Sequence, residues 1–189
     1  MMEATQILMS EHRVIERVIQ ALEIATKRLD QGIPVRPGFF IDASDFIKGF
    51  ADGCHHKKEE GVLFKALVDS GMPIQGGPVA VMLYEHEQGR AFTRAMRDAA
   101  ERLETDPTAR AAVIENALEY AGLLRQHIQK EDGVLFPMAE RALPLDKRQQ
   151  VAEGFEHIEH EETREAVHEK YLALAEALER EAAHAVTEV

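Results

Sequence analysis

Two stretches of this chain carry a histidine and a glutamate four residues apart, followed by the same apolar run. His55-His56-Lys57-Lys58-Glu59-Glu60-Gly61-Val62-Leu63-Phe64 recurs as His127-Ile128-Gln129-Lys130-Glu131-Asp132-Gly133-Val134-Leu135-Phe136, with seven of ten positions identical. Upstream of each copy stands a Glu-His pair, Glu11-His12 before the first and Glu85-His86 before the second. The spacing from His12 to His55 is 43 residues and from His86 to His127 it is 41. Imidazole nitrogens and carboxylate oxygens in such numbers are metal-ligand chemistry, and the halves read as two His-His-Glu clusters, which suggests two ions rather than one. Ligation by nitrogen and oxygen alone disfavours thiolate-seeking metals and leaves iron, manganese, zinc, cobalt and nickel open.

The bland alternative is that a histidine on an apolar face is a hydrogen-bonded core residue and a glutamate four residues on is a surface pair. The neighbourhood of the whole set argues against it. Around His12 lie Leu8, Ile15, Ile19 and Leu22 at the three-to-four spacing of a buried helix face. Around His127 the stripe holds Tyr120, Leu123, Leu124, Val134, Leu135 and Met138. His55 and Glu59 sit between Ala51 and Val62, Leu63 and Ala66, and His86 follows Val79, Met82 and Leu83. Unpaired buried imidazoles and carboxylates cost several kcal/mol each, whereas cations among them remove that cost.

These residues must be positioned by helices, since aromatics are 6% of the chain, Trp is absent and Ala, Leu, Glu and Arg are common. Punctuation separates five helical stretches. The first runs from Ala4 to Gln31 and stops at Gly32, the second from Pro37 to Asp69, and the third opens at Pro78 and reaches Leu103. The fourth starts at Asp106-Pro107 and extends to Ala142 with a kink expected at Pro137, and the fifth covers 146–182. Short connections make neighbours antiparallel, which gives an all-α, up-down-up-down four-helix bundle over 1–143, with an additional C-terminal helix in 144–189 packing on the same domain. The hairpin repeat sets two similar ligand groups across a pseudo-two-fold axis.

His12, His55-x3-Glu59, His86 and His127-x3-Glu131, each motif ending in Gly-Val-Leu-Phe, resemble the hemerythrin-like HHE cation-binding domain over roughly residues 4–142. The resemblance implies a bundle around an oxo- or hydroxo-bridged di-iron centre, with His12, His55, Glu59, His86, His127 and Glu131 as ligands and both glutamates as bridges. Oxygen-carrying hemerythrins place a second histidine one turn after the third-helix one, where this chain has Arg90. Two open positions lean toward redox chemistry on O2, peroxide or nitric oxide rather than carriage. The alternative is an iron-binding module that senses iron or oxygen, or stores iron, without turnover, with the C-terminal helix as its output element.

Other ligand-type residues lie nearby. His157, Glu161 and Glu162 on the fifth helix could cap the site or bind a further ion, against the plainer reading of a solvated charged helix. On that helix Val151, Phe155, Ile158, Leu172 and Ala173 mark the core face. His56 and Tyr84 are candidates to support a ligand from behind or to add one, while Glu11 and Glu85 are expected to face outward. Cys54, the one cysteine, excludes an intramolecular disulfide and fits a reducing compartment. The net charge of -12 works against nucleic acid and anionic membrane surfaces. No apolar run approaches a membrane span, and polar residues interrupt the N-terminus before a signal-peptide core forms. The expectation is a cytoplasmic protein whose partner is a diatomic molecule or a peroxide.

Overall fold

Apolar side chains recurring at helical spacing bring four long helices together along their buried faces. The computed structural model describes residues 2–160 and 164–184. Helix α1 is Glu3–Asp30. Helix α2 spans 37–69 without a break, and α3 is Pro78–Ala100. Helix α4 spans 109–142. Two further helices follow, α5 (Leu145–His160) and α6 (Arg164–His184). No strand occurs among the described residues. No helix among them is long and apolar enough to cross a membrane.

Gly32 and Gly71 end α1 and α2 in left-handed backbone, with φ of 80° and 98°. Helix α3 stops at Ala100, short of the expected Leu103, and turns fill 101–105. The Asp106 carboxylate accepts the Thr108 backbone N–H at 2.9 Å and its hydroxyl at 2.7 Å, which organises the approach to α4.

Two apolar clusters fix the chain directions. One gathers Leu8 of α1, Leu63 and Leu67 of α2, Val79 and Met82 of α3, Leu135 and Ala139 of α4, and Val151 and Phe155 of α5. The other gathers Ile19 and Leu22 of α1, Phe39 and Phe46 of α2, Met96 and Ala100 of α3, Val113 and Ala117 of α4, and Ala175 and Leu178 of α6. Each cluster takes the start of one helix and the end of the next, so the four run up, down, up, down. All four cross from one cluster to the other at the positions of the histidines and glutamates singled out above.

The α-helical pitch widens to π-helical turns at 47–56 and 59–63 in α2 and at 131–135 in α4. Both copies of the repeat widen at the same five residues, yet only the second is followed by a proline, Pro137. The widening therefore belongs to the repeat and not to the proline, and such turns recur at functional sites. It also turns Val134 outward, 52% exposed, where the helical stripe predicts a core position.

Helices α5 and α6 lie along the groove between α1 and α2. Gly154 of α5 backs onto Val62, where an added Cβ would stand 2.7 Å from a valine methyl, and Gly49 of α2 leaves room for the Tyr171 ring of α6. Arg17 pairs with Glu179 at 3.0 Å and Arg36 with Glu181 at 2.8 Å. Val151, Phe155 and Ile158 are buried as their spacing predicts. On α6 the buried face is Ala175, Leu178 and Ala182, while Leu172 is half-buried and Ala173 exposed. The wheel drawn through one continuous helix does not hold its phase into α6.

Candidate metal centre

The bundle brings the six residues into its interior, each 2% exposed or less. Glu131 Oε2 lies 3.2 Å from His12 Nε2 and 3.2 Å from His127 Nε2. Glu59 divides its two oxygens, Oε1 at 3.4 Å from His55 Nε2 and Oε2 at 3.4 Å from His86 Nε2. Each glutamate thus stands between a histidine of the first hairpin and one of the second. The rings of His12 and His55 are 4.6 Å apart and tilted by 54°, and those of His86 and His127 are 4.7 Å apart and tilted by 59°. His86 Nε2 and His127 Nε2 approach to 3.1 Å.

Within this cluster the donor atoms sort into two overlapping groups. His12, His55, Glu59 and Glu131 form one; His56, Glu59, His86 and His127 form the other, with ligand atoms all within 4.8 Å of one another in each group. His12 Nε2, His55 Nε2, His56 Nε2 and all four glutamate oxygens are buried without a hydrogen-bond partner. Electron-pair donors packed this closely, 3.2–3.4 Å apart and without well-formed hydrogen bonds, fit a site for metal ions.

The outward nitrogens are equally ordered. His12 Nδ1 donates to Asp132 at 2.7 Å, His55 Nδ1 to Glu11 at 2.9 Å, His86 Nδ1 to Glu60 at 2.7 Å and His127 Nδ1 to Glu85 at 2.9 Å. Each of these carboxylates carries a cation in turn: Arg13 on Asp132, Lys58 on Glu11, Arg90 on Glu60 and Lys130 on Glu85. A carboxylate on Nδ1 fixes the tautomer, so that the Nε2 lone pair points into the site, and it raises the basicity of that nitrogen. Glu11 and Glu85 therefore face inward, against the sequence expectation, because each bridges to the histidine of the following helix. The signal was present in the repeated Glu-His pairs and in the lysine and acid that flank Glu59 and Glu131 in both copies.

The phenylalanine that ends each repeat has its own task. Phe136 stacks on His12 at 5.6 Å and Phe64 on His86 at 5.9 Å, so each wedges the first histidine of the opposite hairpin.

Without metal, the neighbouring carboxylates favour the protonated form of His12, His86 and His127. Burial pushes His12 down, but the carboxylates beside it, Asp132 on Nδ1 and Glu131 facing Nε2, together with the charge of Glu59, raise it to about 9. Burial likewise opposes charge on His127, and Glu131 and Glu85 outweigh it, lifting the group to about 10. Burial opposes ionisation of Glu131, yet His127 and His12 hold it well below the ordinary carboxylate range. His56 behaves otherwise. Burial, reinforced by His86, His55, His127 and Arg90, keeps it neutral.

The remaining candidates separate clearly. His56 is buried, donates from Nδ1 to Asp52 at 2.8 Å and stacks on His86 at 3.7 Å between centroids. Tyr84 is 63% exposed and stays at the surface. Arg90 holds Glu60 at 2.6 Å and Asp52 at 3.3 Å, and with them lines an open surface hollow of about 450 Å³ shared with Lys57, Gly61 and Lys65. Cys54 is partly buried with Sγ 4.0 Å from Glu11. His157 is exposed on α5 and belongs to neither donor group. Glu161 and Glu162 lie outside the described residues. Helix α5 reaches the site through another route: Glu159 binds the buried Lys58 at 3.0 Å, and Lys58 holds Glu11 behind His55.

A model of the Hemerythrin HHE cation binding domain matches residues 3–139. The uncharacterized proteins Rv1995 of Mycobacterium tuberculosis and Mb2018 of Mycobacterium bovis are each 25% identical over 164 residues, covering 86% of this chain. The chain spans 64% of the length of these relatives. No solved structure matches it. An all-α bundle built on two HHE repeats, with a buried His/Glu donor cluster at its centre and a family match over 3–139, makes this chain a member of the Hemerythrin HHE cation binding domain family.

Proposed function

We propose that His12, His55, Glu59, His86, His127 and Glu131 hold two iron ions, and that the pair reacts with or senses O2, peroxide or nitric oxide. The placement of each glutamate between histidines of opposite hairpins is the observation that carries this reading. Two carboxylates and four imidazoles leave each ion about four protein ligands, with positions left for a small molecule. Such a pair supplies redox equivalents and Lewis acidity to a bound diatomic or peroxide. The chain's own residues orient the imidazoles through Asp132, Glu11, Glu60 and Glu85, keep bulk water out, and hold the protons that leave when metal enters. In this reading residues 1–143 are the metal-holding unit, and α5 and α6 pack on the same domain.

The test is to express the full chain in iron-replete medium, measure metal per chain, and record the spectrum with and without azide. Two irons per chain and near-ultraviolet bands that azide perturbs are expected. The reduced protein should then react with O2, peroxide or nitric oxide at a fixed ratio per iron pair, and His127→Ala should not. Two irons that bind small molecules without any redox change would leave a binding module and remove the redox reading.

The carboxylates behind the imidazoles give a graded prediction. Glu11→Ala leaves His55 Nδ1 without an acceptor and Lys58 with Glu159 alone. Loss of such an orienting carboxylate typically weakens metal binding by about 10–100-fold. Competition against a chelator measures it, and unchanged affinity would mean that Glu11 serves only to neutralise Lys58.

A further inference from the structure

We infer that His56 is a fifth histidine ligand, on the His86 and His127 side, and that the two ions are therefore unequal. The inference rests on the two-iron reading above. The observation is a shared construction. Like the four other histidines, His56 gives its Nδ1 to a carboxylate, Asp52 at 2.8 Å, and that carboxylate is held by a cation, Arg90 at 3.3 Å. Its Nε2 is buried and unpartnered, and a ring nitrogen of His56 lies within 4.8 Å of donor atoms on Glu59, His86 and His127. A histidine present only to stack on His86 needs no carboxylate behind it. The second repeat shows what packing alone requires at this position, because its equivalent is Ile128, a buried hydrocarbon. An imidazole here leaves a buried lone pair whose desolvation is uncompensated unless an ion takes it.

Arg90 links the two departures from symmetry. It stands one turn beyond His86, where an oxygen carrier has its extra histidine, and through Asp52 it orients the imidazole that arrives from α2 instead. The ion on this side then has His56, His86 and His127 besides the glutamates. The ion at His12 and His55 has two imidazoles and keeps the open position. A small ligand binds there, one per pair.

X-ray absorption on the iron-loaded full chain counts imidazoles per iron pair, and azide titration counts the open positions. The wild-type protein is expected to show five imidazoles and one azide per pair. His56→Leu, which keeps the bulk, should show four imidazoles and admit a second azide, with helix content by circular dichroism unchanged. Two irons with four imidazoles in the wild-type protein would overturn the inference while leaving the six-ligand reading standing, and so would a His56→Leu protein with unaltered azide stoichiometry. Fewer than two irons in the wild-type protein would overturn both. The wild-type imidazole count decides the matter even if His56→Leu does not fold.

Discussion

If the proposed pair of ions is held as described, Glu59→Ala is expected to lose both, not one. Glu59 gives one oxygen to the His55 side and the other to the His86 side, 3.4 Å from each Nε2, and it is fully buried. Removing it takes a negative ligand from both positions at once and leaves a cavity between two pairs of imidazoles. Cations placed there would face each other across a dry space with one carboxylate fewer between them, and repulsion between buried like charges is expensive at low effective dielectric. Glu131→Ala should behave in the same way, since its Oε2 is shared between His12 and His127. His12→Ala, which touches one position, should retain a single ion. Iron content by elemental analysis distinguishes the cases, with Glu59→Gln as the control that keeps the shape and removes the charge. One iron retained at full affinity in Glu59→Ala would mean that the glutamate serves one ion and that the two halves are independent.

Most of the bundle could be read from the chain because its signals are local. Gly32 and Gly71 stop helices where they must, and the stripe Leu8, Ile15, Ile19 and Leu22 is buried as its period demands. The six central residues were readable for a different reason: the repeat states them twice, and the two copies meet. What the helical period could not convey was local widening. A wheel drawn at 3.6 residues per turn puts Val134 inside, and the π-helical turns of 131–135 put it out. In the first repeat the equivalent Val62 is covered by Gly154 of α5, so identical residues differ in burial according to which hairpin the C-terminal helices cover.

Charged side chains were the larger failure. A glutamate next to a central histidine is about 100° round the helix from it, which points Glu11 and Glu85 toward solvent. Both instead reach the imidazole of the following helix and are neutralised by a lysine one residue before a central glutamate, Lys58 or Lys130. Lys58 is fully buried, a position no propensity assigns to lysine, and it is stable there only because Glu11 and Glu159 both pair with it. Partners of that kind come from distant parts of the chain and leave no periodic trace. The repeat of the Glu-His pair was the one available hint.

The metal-free protein should lose stability as pH rises from about 6.5 to about 10, while the metal-loaded protein gains metal affinity over the same interval. His12 and His127 titrate near 9 and 10 in the folded chain, against an ordinary value of 6.5. A raised pKa means that the folded state favours the proton. The stabilisation is fully present below 6.5 and fades as pH passes through the folded values. Each tenfold gain in proton affinity is worth roughly 1.4 kcal/mol, which puts the effect on the order of a few kcal/mol. The two contributions do not add fully, because both draw on Glu131. His56 has the opposite sign. Its folded value is depressed, so protonation below 6.5 favours the unfolded chain and erodes stability on the acid side. Thermal melts of the chelator-treated protein should therefore peak near neutral pH and decline steadily toward 10. A metal ion at these nitrogens needs the lone pairs that those protons occupy, so loading must release protons and grow tighter as pH rises. A melting temperature flat between 6.5 and 10 would mean that protons do not stand in for the ions in the metal-free bundle. Loading without proton release would mean that His12 and His127 are not where the ions go.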